Sequence, residues 1–206
     1  MIHENRNYWA GLVGGTIGKA LLKAGHDVTF SSRDPHGEQA TQLKTETGAA
    51  VELPGDMLAF SQVIAIAMSP DTALQFAKAH ADLLRDKVII DINNRFGPAP
   101  SGQSFASDLA AASGVNVVKA FNIIGAEHYL NPDFDGQAAT MFIAGDAADA
   151  KRITGELAMT IGFEVIEAGG LDAVRHFENL AAFWVHVVQS GEGRAVAFKL
   201  LRRQTT

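Results

Sequence analysis

Residues 9–35 read WAGLVGGTIGKALLKAGHDVTFSSRDP, and this stretch decides the fold. Glycines at positions 11, 14, 15 and 18 are followed by an amphipathic run and then by the β-rich segment DVTFS at 27–31. A glycine-rich turn between a strand and a helix lets backbone N–H groups approach a phosphate at the start of the helix. The stretch therefore predicts the phosphate-binding turn, first helix and second strand of a dinucleotide-binding unit.

The glycine motif lacks its first member. In the pattern GxGxxG, the first glycine would stand at residue 9, where this chain has Trp9. The tryptophan side chain would crowd the pyrophosphate, and its Cβ would resist any positive φ that the turn requires. Residues 2–8, IHENRNY, are polar where an apolar first strand is expected. We therefore expect either weakened phosphate binding or an N-terminus that is not the native first strand. The predicted phosphate-binding residues are Gly11, Leu12, Val13 and Gly14.

A second register of the motif is also open. It takes Gly15 and Gly18 as the last two glycines and puts Val13 in the first position. This register leaves only a short helix before Gly25. We favour the first register because it gives a first helix of ordinary length.

The end of the second strand predicts which dinucleotide binds. An NAD-binding domain usually has Asp or Glu here, which accepts hydrogen bonds from the ribose hydroxyls. This chain instead has Ser31, Ser32 and Arg33. Two hydroxyls and a planar guanidinium suit a 2′-phosphate. The sequence therefore favours NADP(H) over NAD(H).

Short β-rich runs alternate with amphipathic stretches along the chain. The strand candidates are residues 27–31, 62–68, 87–92, 116–122, 139–145 and 163–168. The helix candidates are residues 15–24, 36–47, 70–84, 103–113 and 146–161. Several strands are apolar on both faces, as in a parallel sheet covered by helices on each side. The alternation predicts a doubly wound, Rossmann-type α/β fold with a mostly parallel sheet.

The pattern changes after residue 170. Residues 171–206 are predicted to be mostly helical, with an interruption at 190–193. We expect residues 1–170 to form an NAD(P)-binding Rossmann domain and residues 171–206 a helical appendage packed on it. The predicted terminal helix carries the basic residues Lys199, Arg202 and Arg203.

Composition excludes several classes of function. The 206-residue chain has a formal net charge of −6, which argues against a nucleic-acid or anionic-membrane surface. It has no cysteine, so disulfides, thiol catalysis and thiolate-bound metal are excluded. Its seven histidines have no metal-ligand spacing, and we expect no metal site. No apolar run has the length of a membrane span, and the polar N-terminus is no signal peptide. We expect a cytoplasmic protein.

With these residues in view, the chain resembles the coenzyme F420-dependent NADP oxidoreductase family. The resemblance extends over nearly everything after residue 10. The matching segments are residues 14–35, 88–98, 117–134, 141–152 and 162–187. The resemblance implies a Rossmann-type fold and NADP(H) as cofactor, and it leaves the second substrate open.

The resemblance also implies where the nicotinamide lies, over the carboxyl ends of the central strands. It assigns residues after three successive strands to this part of the site. They are Ala67, Met68 and Ser69 after the first, Asn93 and Asn94 after the second, and Ala120 and Asn122 after the third. Family members more often have Thr-Asn-Pro where this chain has Asn93-Asn94-Arg95, so Arg95 is expected to alter the charge of the pocket.

The sequence identifies no catalytic residue with certainty. His128 and Asn122 are the candidates, His128 as an acid or substrate ligand. Lys119 lies within a strand and is expected to be buried or paired, with substrate contact as the alternative. Arg175 and Glu178 are three residues apart and are predicted to form an ion pair on one helix face.

The functional prediction is an NADP(H)-binding oxidoreductase that exchanges a hydride with a deazaflavin or flavin-like acceptor. Such chemistry belongs to the cofactors, and the protein mainly holds two rings face to face. The alternatives are an NADPH-dependent reductase of a ferric complex or small carbonyl, and a non-catalytic NADPH-binding regulator. The apolar face of the last helix predicts a homodimer. The aromatic segment at 177–184 is expected in the core or that interface, or as a cap over the second-substrate site.

Overall fold

The computed structural model of the chain describes residues 7–9, 11–96 and 103–203, without the side chains of 7–9 and 11–13. An eight-stranded sheet forms its centre, and a separate two-stranded hairpin lies between two of the sheet strands in sequence. The sheet strands are β1 (Asn7–Trp9), β2 (Val28–Ser31), β3 (Val51–Glu52), β4 (Val63–Ile66), β5 (Val88–Asp91), β6 (Asn116–Lys119), β9 (Thr140–Gly145) and β10 (Glu164–Glu167). The hairpin strands are β7 (Asp133–Phe134) and β8 (Gln137–Ala138).

The sheet has the strand order of a dinucleotide-binding fold. Its parallel part runs β3-β2-β1-β4-β5-β6. β2 and β3 are added on one side of β1 and β4 to β6 on the other, so the strand order reverses at β1, as in dinucleotide-binding folds. β9 joins antiparallel to β6, and β10 then pairs parallel with β9. The predicted doubly wound, mostly parallel α/β fold is confirmed, and all six strand candidates form strands.

The polar stretch near the N-terminus supplies the first strand. β1 pairs in parallel with β2 on one side and with β4 on the other. Backbone hydrogen bonds to two neighbours form whatever the side chains, so a polar segment can occupy this central position. β1 ends at Trp9, Ala10 lies outside the described residues, and the first helix begins at Gly11. The turn therefore lies where the first register of the glycine motif puts it. Val13 is already helical, which excludes the second register.

Helices connect the strands and cover both faces of the sheet. The helix predicted over residues 70–84 is divided at His80, where the backbone leaves the helical conformation. A short helix that begins at Pro54 was missed by the sequence prediction. Within the described residues, no helix is both long and apolar enough to cross a bilayer. The helices are α1 (Gly11–Lys23), α2 (Glu38–Thr47), α3 (Pro54–Phe60), α4 (Pro70–Ala79), α5 (Ala81–Leu84), α6 (Phe105–Ser113), α7 (Ala148–Ile161) and α8 (Val174–Val187).

Alternate side chains of the central strands pack into two hydrophobic cores, one on each face of the sheet. In β4, Val63 and Ala65 join the cluster formed with α1 and α7, whereas Ile64 and Ile66 join the cluster formed with α4, α6 and α8. This two-sided burial is the reason why these strands read as continuous apolar runs. Helix α8 contributes Phe177 to the second cluster and also buries Ala181 and Trp184. Much of the apolar face that favoured a homodimer is thus buried by the chain itself, and the homodimer stays a prediction.

The predicted C-terminal helix is not formed. A single π-turn follows α8, and residues 194–203 then run without helix. The physical reason lies in β9, whose only partners in β6 are at Ala144 and Gly145, so the β6 side of Thr140 is left without a strand. The tail fills this gap: the Thr140 N–H donates to the Phe198 carbonyl oxygen at 2.9 Å. Lys199, predicted at an exposed helix tip, forms an ion pair with Glu164.

Candidate functional site

A buried ion pair lies beneath the carboxyl ends of β5 and β6. Asp91 ends β5 and Lys119 ends β6, and both side chains are 0% exposed. The Lys119 ammonium lies 2.9 Å from Asp91 Oδ2 and also donates to the Asn93 carbonyl oxygen. The sequence expectation of a buried or paired lysine is confirmed. Because Lys119 is sealed in the interior, it is not exposed to a substrate.

This ion pair fixes the loop that follows β5. Asp91 Oδ1 accepts hydrogen bonds from both the backbone N–H and the side-chain Nδ2 of Asn93, each at 3.0 Å. Asn93 Oδ1 in turn accepts the Met68 N–H at 2.9 Å, which ties the loop after β4 to the loop after β5. Both loops are thus anchored to one buried carboxylate.

Helix α8 reaches the same network through Glu178. Its carboxylate Oε1 lies 3.5 Å from Lys119 Nζ, and the residue is only 9% exposed. Burial raises the pKa of the Glu178 carboxyl, Lys119 opposes this shift, and Asp91 adds to it. The predicted ion pair between Arg175 and Glu178 is wrong, because Glu178 points inward to Lys119 while Arg175 is exposed.

Two asparagines form a reciprocal pair above the network. Asn94 Nδ2 donates to the Asn122 carbonyl oxygen at 2.8 Å, and Asn122 Nδ2 donates to Asn94 Oδ1 at 2.9 Å. The first bond fixes the orientation of the Asn94 amide, and that orientation fixes the Asn122 amide. Asn122 Oδ1 is left buried and without a hydrogen-bond partner among the described residues. Since buried polar atoms are nearly always paired, this oxygen is an acceptor whose partner the described residues do not supply.

A cavity of about 370 Å³ opens at this point. Its size lies in the range of small-molecule sites. Helix α1, the loops after β5 and β6, helix α8 and the C-terminal tail contribute to its walls. The lining residues are Thr16, Asn94, Asn122, Ile124, Gly125, Ala126, Glu127, Ala181, Trp184, Val185 and Arg194.

The end of β2 presents the residues predicted to bind a 2′-phosphate. Ser31 is buried, and its Oγ has no hydrogen-bond partner in the part of the chain that the structure describes. Arg33 is exposed and forms no ion pair with any described residue. Ser32 differs from these two, because its Oγ is bonded to the backbone of Asp34. An orphaned buried hydroxyl beside a free guanidinium fits an anionic group.

The glycine turn lies between these two regions. The N-terminus of α1 begins at Gly11, and Gly14 is buried within its first turns. The side chains of Leu12 and Val13 lie outside the described residues. Because β1 lies between β2 and β4, the start of α1 is at the point of the sheet edge where dinucleotides bind in such folds.

The remaining predicted residues divide into two groups. Ala67, Met68 and Ser69 follow β4 and are at least partly accessible, and Ser69 Oγ bonds to Thr72. Ala120, by contrast, is fully buried in the core, so its side chain does not reach the cleft as predicted. Ala120 follows Lys119 directly, and the strand alternation that buries the lysine toward α8 turns the alanine into the opposite core.

Two further candidates do not line the cavity. His128 does not line it, because His128 Nε2 is bonded to the Arg194 carbonyl oxygen at 2.8 Å. Arg95 was expected to change the charge of the pocket. Its guanidinium instead lies 3.9 Å from Asp71 at the start of α4, and Arg95 is not among the residues that line the cavity.

Four polar or aromatic lining residues were not predicted as site residues. Thr16 lies two residues after Gly14, the last glycine of the motif, so the motif itself gave a signal for it. Trp184 falls in the aromatic segment that was considered as a cap. Glu127 and Arg194 are 67 residues apart and meet only because the C-terminal tail folds back. No local pattern indicates that pair.

The buried ion pair generates a prediction about stability. Replacing Lys119 with Met leaves the buried Asp91 carboxylate without a cation, and we expect a loss of about 3–5 kcal/mol in the free energy of unfolding. The matched control is Lys19→Met, which breaks an exposed pair with Glu46 and should cost at most about 1 kcal/mol. Chemical denaturation measures both. Equal losses in the two variants would contradict a structural role for the Lys119 pair.

Comparison with known proteins supports the assignment of the fold. Residues 10–95 match the family model described as NADP oxidoreductase, coenzyme F420-dependent. A rat protein, metalloreductase STEAP3, is 27% identical over 168 residues, which cover 79% of this chain. They cover 33% of the rat protein, so this chain spans about a third of that relative.

Solved structures share the same architecture. A candidate F420-dependent NADP reductase from Arthrobacter sp. FB24 is similar over 97% of this chain and 99% of its own, with a TM-score of 0.86 and 23% identity. An imine reductase from Myxococcus stipitatus, solved with NADP⁺, is similar over 90% of this chain and 61% of its own, with a TM-score of 0.69 and 17% identity. At these identities the likeness shows the fold. The resemblance to the coenzyme F420-dependent NADP oxidoreductase family is confirmed over residues 10–95, the part of the chain that the family model matches.

Proposed function

We propose that the protein is an NADP(H)-dependent oxidoreductase that exchanges a hydride with a deazaflavin or flavin-like ring. One observation carries this proposal, the cavity of about 370 Å³ that is lined by Asn122, a residue whose Oδ1 has no hydrogen-bond partner among the described residues. A heteroaromatic ring with an N–H group would fill the apolar part of the cavity and satisfy this acceptor. The match of residues 10–95 to the model of an NADP oxidoreductase family supports the same chemistry.

The dinucleotide would lie along the carboxyl edge of the sheet. Arg33 and Ser31 would hold the 2′-phosphate at β2, and the backbone at Gly11–Gly14 would hold the pyrophosphate at β1. The nicotinamide end would then lie over β4 and β5, beside Met68 and the asparagines that follow β5. When bound, the nicotinamide supplies the hydride.

The residues of the chain would position the two rings. The pair Asn94–Asn122 is rigid because each amide fixes the other, so Asn122 Oδ1 can orient a ring without rearrangement. Trp184 and Ala181 form an apolar wall that excludes water from the reacting rings. Holding two reactants in one geometry is a large part of catalysis in such reactions.

A flavin-like acceptor fits the cavity better than a carbonyl does. Reduction of a carbonyl needs a positioned proton donor. Among the described residues that line the cavity, the titratable ones are Glu127 and Arg194, and these pair with each other. His128 is bonded elsewhere. A ferric complex is the second candidate, because the rat relative is named a metalloreductase.

The 2′-phosphate assignment predicts a selective loss of affinity. Arg33→Ala removes one ion-assisted contact, so NADPH binding should weaken by about 1.5–3 kcal/mol while NADH binding changes little. Isothermal titration calorimetry with both dinucleotides measures the difference. Arg175→Ala is the matched control, because Arg175 is also exposed and lies at the start of α8. Equal losses for NADPH and NADH would exclude the assignment.

Turnover assays test the reaction itself. Under anaerobic conditions, the purified protein should oxidise NADPH with a deazaflavin or FMN as acceptor, and the oxidation is followed by absorbance at 340 nm. The rate of oxidation should be low with a small carbonyl as acceptor. Turnover with a ferric chelate but with neither ring would favour the metalloreductase alternative. NADPH binding without turnover on any acceptor would indicate a regulator and contradict the enzymatic proposal.

A further inference from the structure

Arg194 is held at the edge of the cavity by an acidic partner. Its Nε donates to Glu127 Oε1 at 2.5 Å, and its Nη2 donates to Glu127 Oε2 at 2.9 Å. The Arg194 guanidinium lowers the pKa of Glu127 to about 2, so the pair is charged at all physiological pH values. Both side chains are about half exposed, and such a pair contributes little to stability by itself.

Three further contacts hold Arg194 and its surroundings in place, and one of them is made by the guanidinium. Its carbon lies 5.2 Å from the ring centroid of Trp184, so the indole limits its movement on one side. The Arg194 carbonyl oxygen is bonded to His128, and Trp184 Nε1 donates to the Val196 carbonyl oxygen at 2.9 Å. Arg194 is thus held at its backbone by His128, at the face of its guanidinium by Trp184, and at one guanidinium edge by Glu127. An arginine at an ordinary surface position does not have all three constraints.

The opposite edge of the guanidinium is free. Arginine has five N–H donors, and Glu127 takes one from Nε and one from Nη2. The remaining three have no hydrogen-bond partner among the described residues. Arg194 and Glu127 carry the only formal charges among the described residues that line the cavity. The wall of the cavity thus contains one oriented guanidinium, that of Arg194, which uses only two of its five N–H donors in contacts with described residues.

We propose that Arg194 is the specificity-determining residue for the second substrate, and that it selects phosphorylated flavin-like acceptors over unphosphorylated ones by binding their phosphate group. This inference rests on the proposed function for the position of the acceptor ring. A planar guanidinium edge matches two phosphate oxygens, and a preoriented fork loses little freedom on binding. Glu127 therefore acts as a positioning residue that keeps the free edge turned outward.

A phosphate could also come from the dinucleotide. The proposed dinucleotide path assigns its phosphates to Arg33 and to the start of α1, at β2 and β1. Arg194 lies over Trp184 and beside the turn that follows β6. Because the phosphates of the dinucleotide have other proposed ligands, we assign the phosphate at Arg194 to the acceptor.

Binding of FMN and riboflavin tests the proposal, because the two share one ring and differ only in the phosphate. Titration into NADP⁺-saturated protein, followed by quenching of flavin fluorescence, needs no turnover. We expect FMN to bind at least about tenfold more tightly than riboflavin, because one hydrogen bond to a charged group changes an affinity by about that factor. Arg194→Gln should bring the ratio close to one, and Arg194→Lys should retain part of it.

The ratio separates recognition from general loosening of the tail, which would weaken both flavins alike. Arg152→Gln is the control, since Arg152 is a half-exposed arginine paired with Glu156 on α7, away from the cavity. It should leave the FMN to riboflavin ratio unchanged.

Several results would overturn the proposal. Equal affinities of the wild-type protein for the two flavins would do so, as would failure of both to bind or an unchanged ratio in Arg194→Gln. A loss of NADP⁺ affinity in Arg194→Gln, measured without flavin, would assign the phosphate to the dinucleotide instead. If the FMN preference is found and abolished as expected but no hydride is transferred, the proposed function fails and this inference stands.

Discussion

The buried ion pair between Lys119 and Asp91 is the constraint on which the rest of the site depends. An ammonium group and a carboxylate leave water at considerable cost, which is offset only when geometry and additional hydrogen bonds are favourable. Here the ammonium contacts Asp91, Glu178 and the Asn93 carbonyl oxygen. The ends of two neighbouring strands, one loop and helix α8 are therefore joined at a single atom.

The consequence of this anchoring is a rigid surface above it. Asp91 holds Asn93, Asn93 holds the backbone of Met68, and the next residue, Asn94, pairs with Asn122. Asn122, whose Oδ1 has no hydrogen-bond partner among the described residues, lines the cavity. Preorganisation of this kind is what a site needs when positioning is its main contribution.

The features of the fold and of the site that could be predicted are those that short stretches of the sequence reveal. The strands and the glycine turn were predicted because two-sided apolar runs and glycine spacing are visible in short windows. Asn94 and Asn122 were predicted through the family resemblance, which assigns residues after the central strands to the site. The contact of Lys119 with Glu178 joins residues 59 apart, and only the packing of α8 brings them together. The tail was predicted as helix because its apolar residues resemble a helical pattern. Its true position depends on a gap beside Thr140 that exists only once β9 runs antiparallel to β6.

A crystal structure of the protein with NADP⁺ tests the central claim most directly, namely that one continuous cleft runs from the end of β2 to the cavity at Asn122. The account predicts the 2′-phosphate within hydrogen-bond distance of Arg33 and Ser31, and the nicotinamide ring beside Asn94 and Asn122. Density for the dinucleotide away from the carboxyl edge of the sheet, or with its adenine end in the cavity, would contradict it.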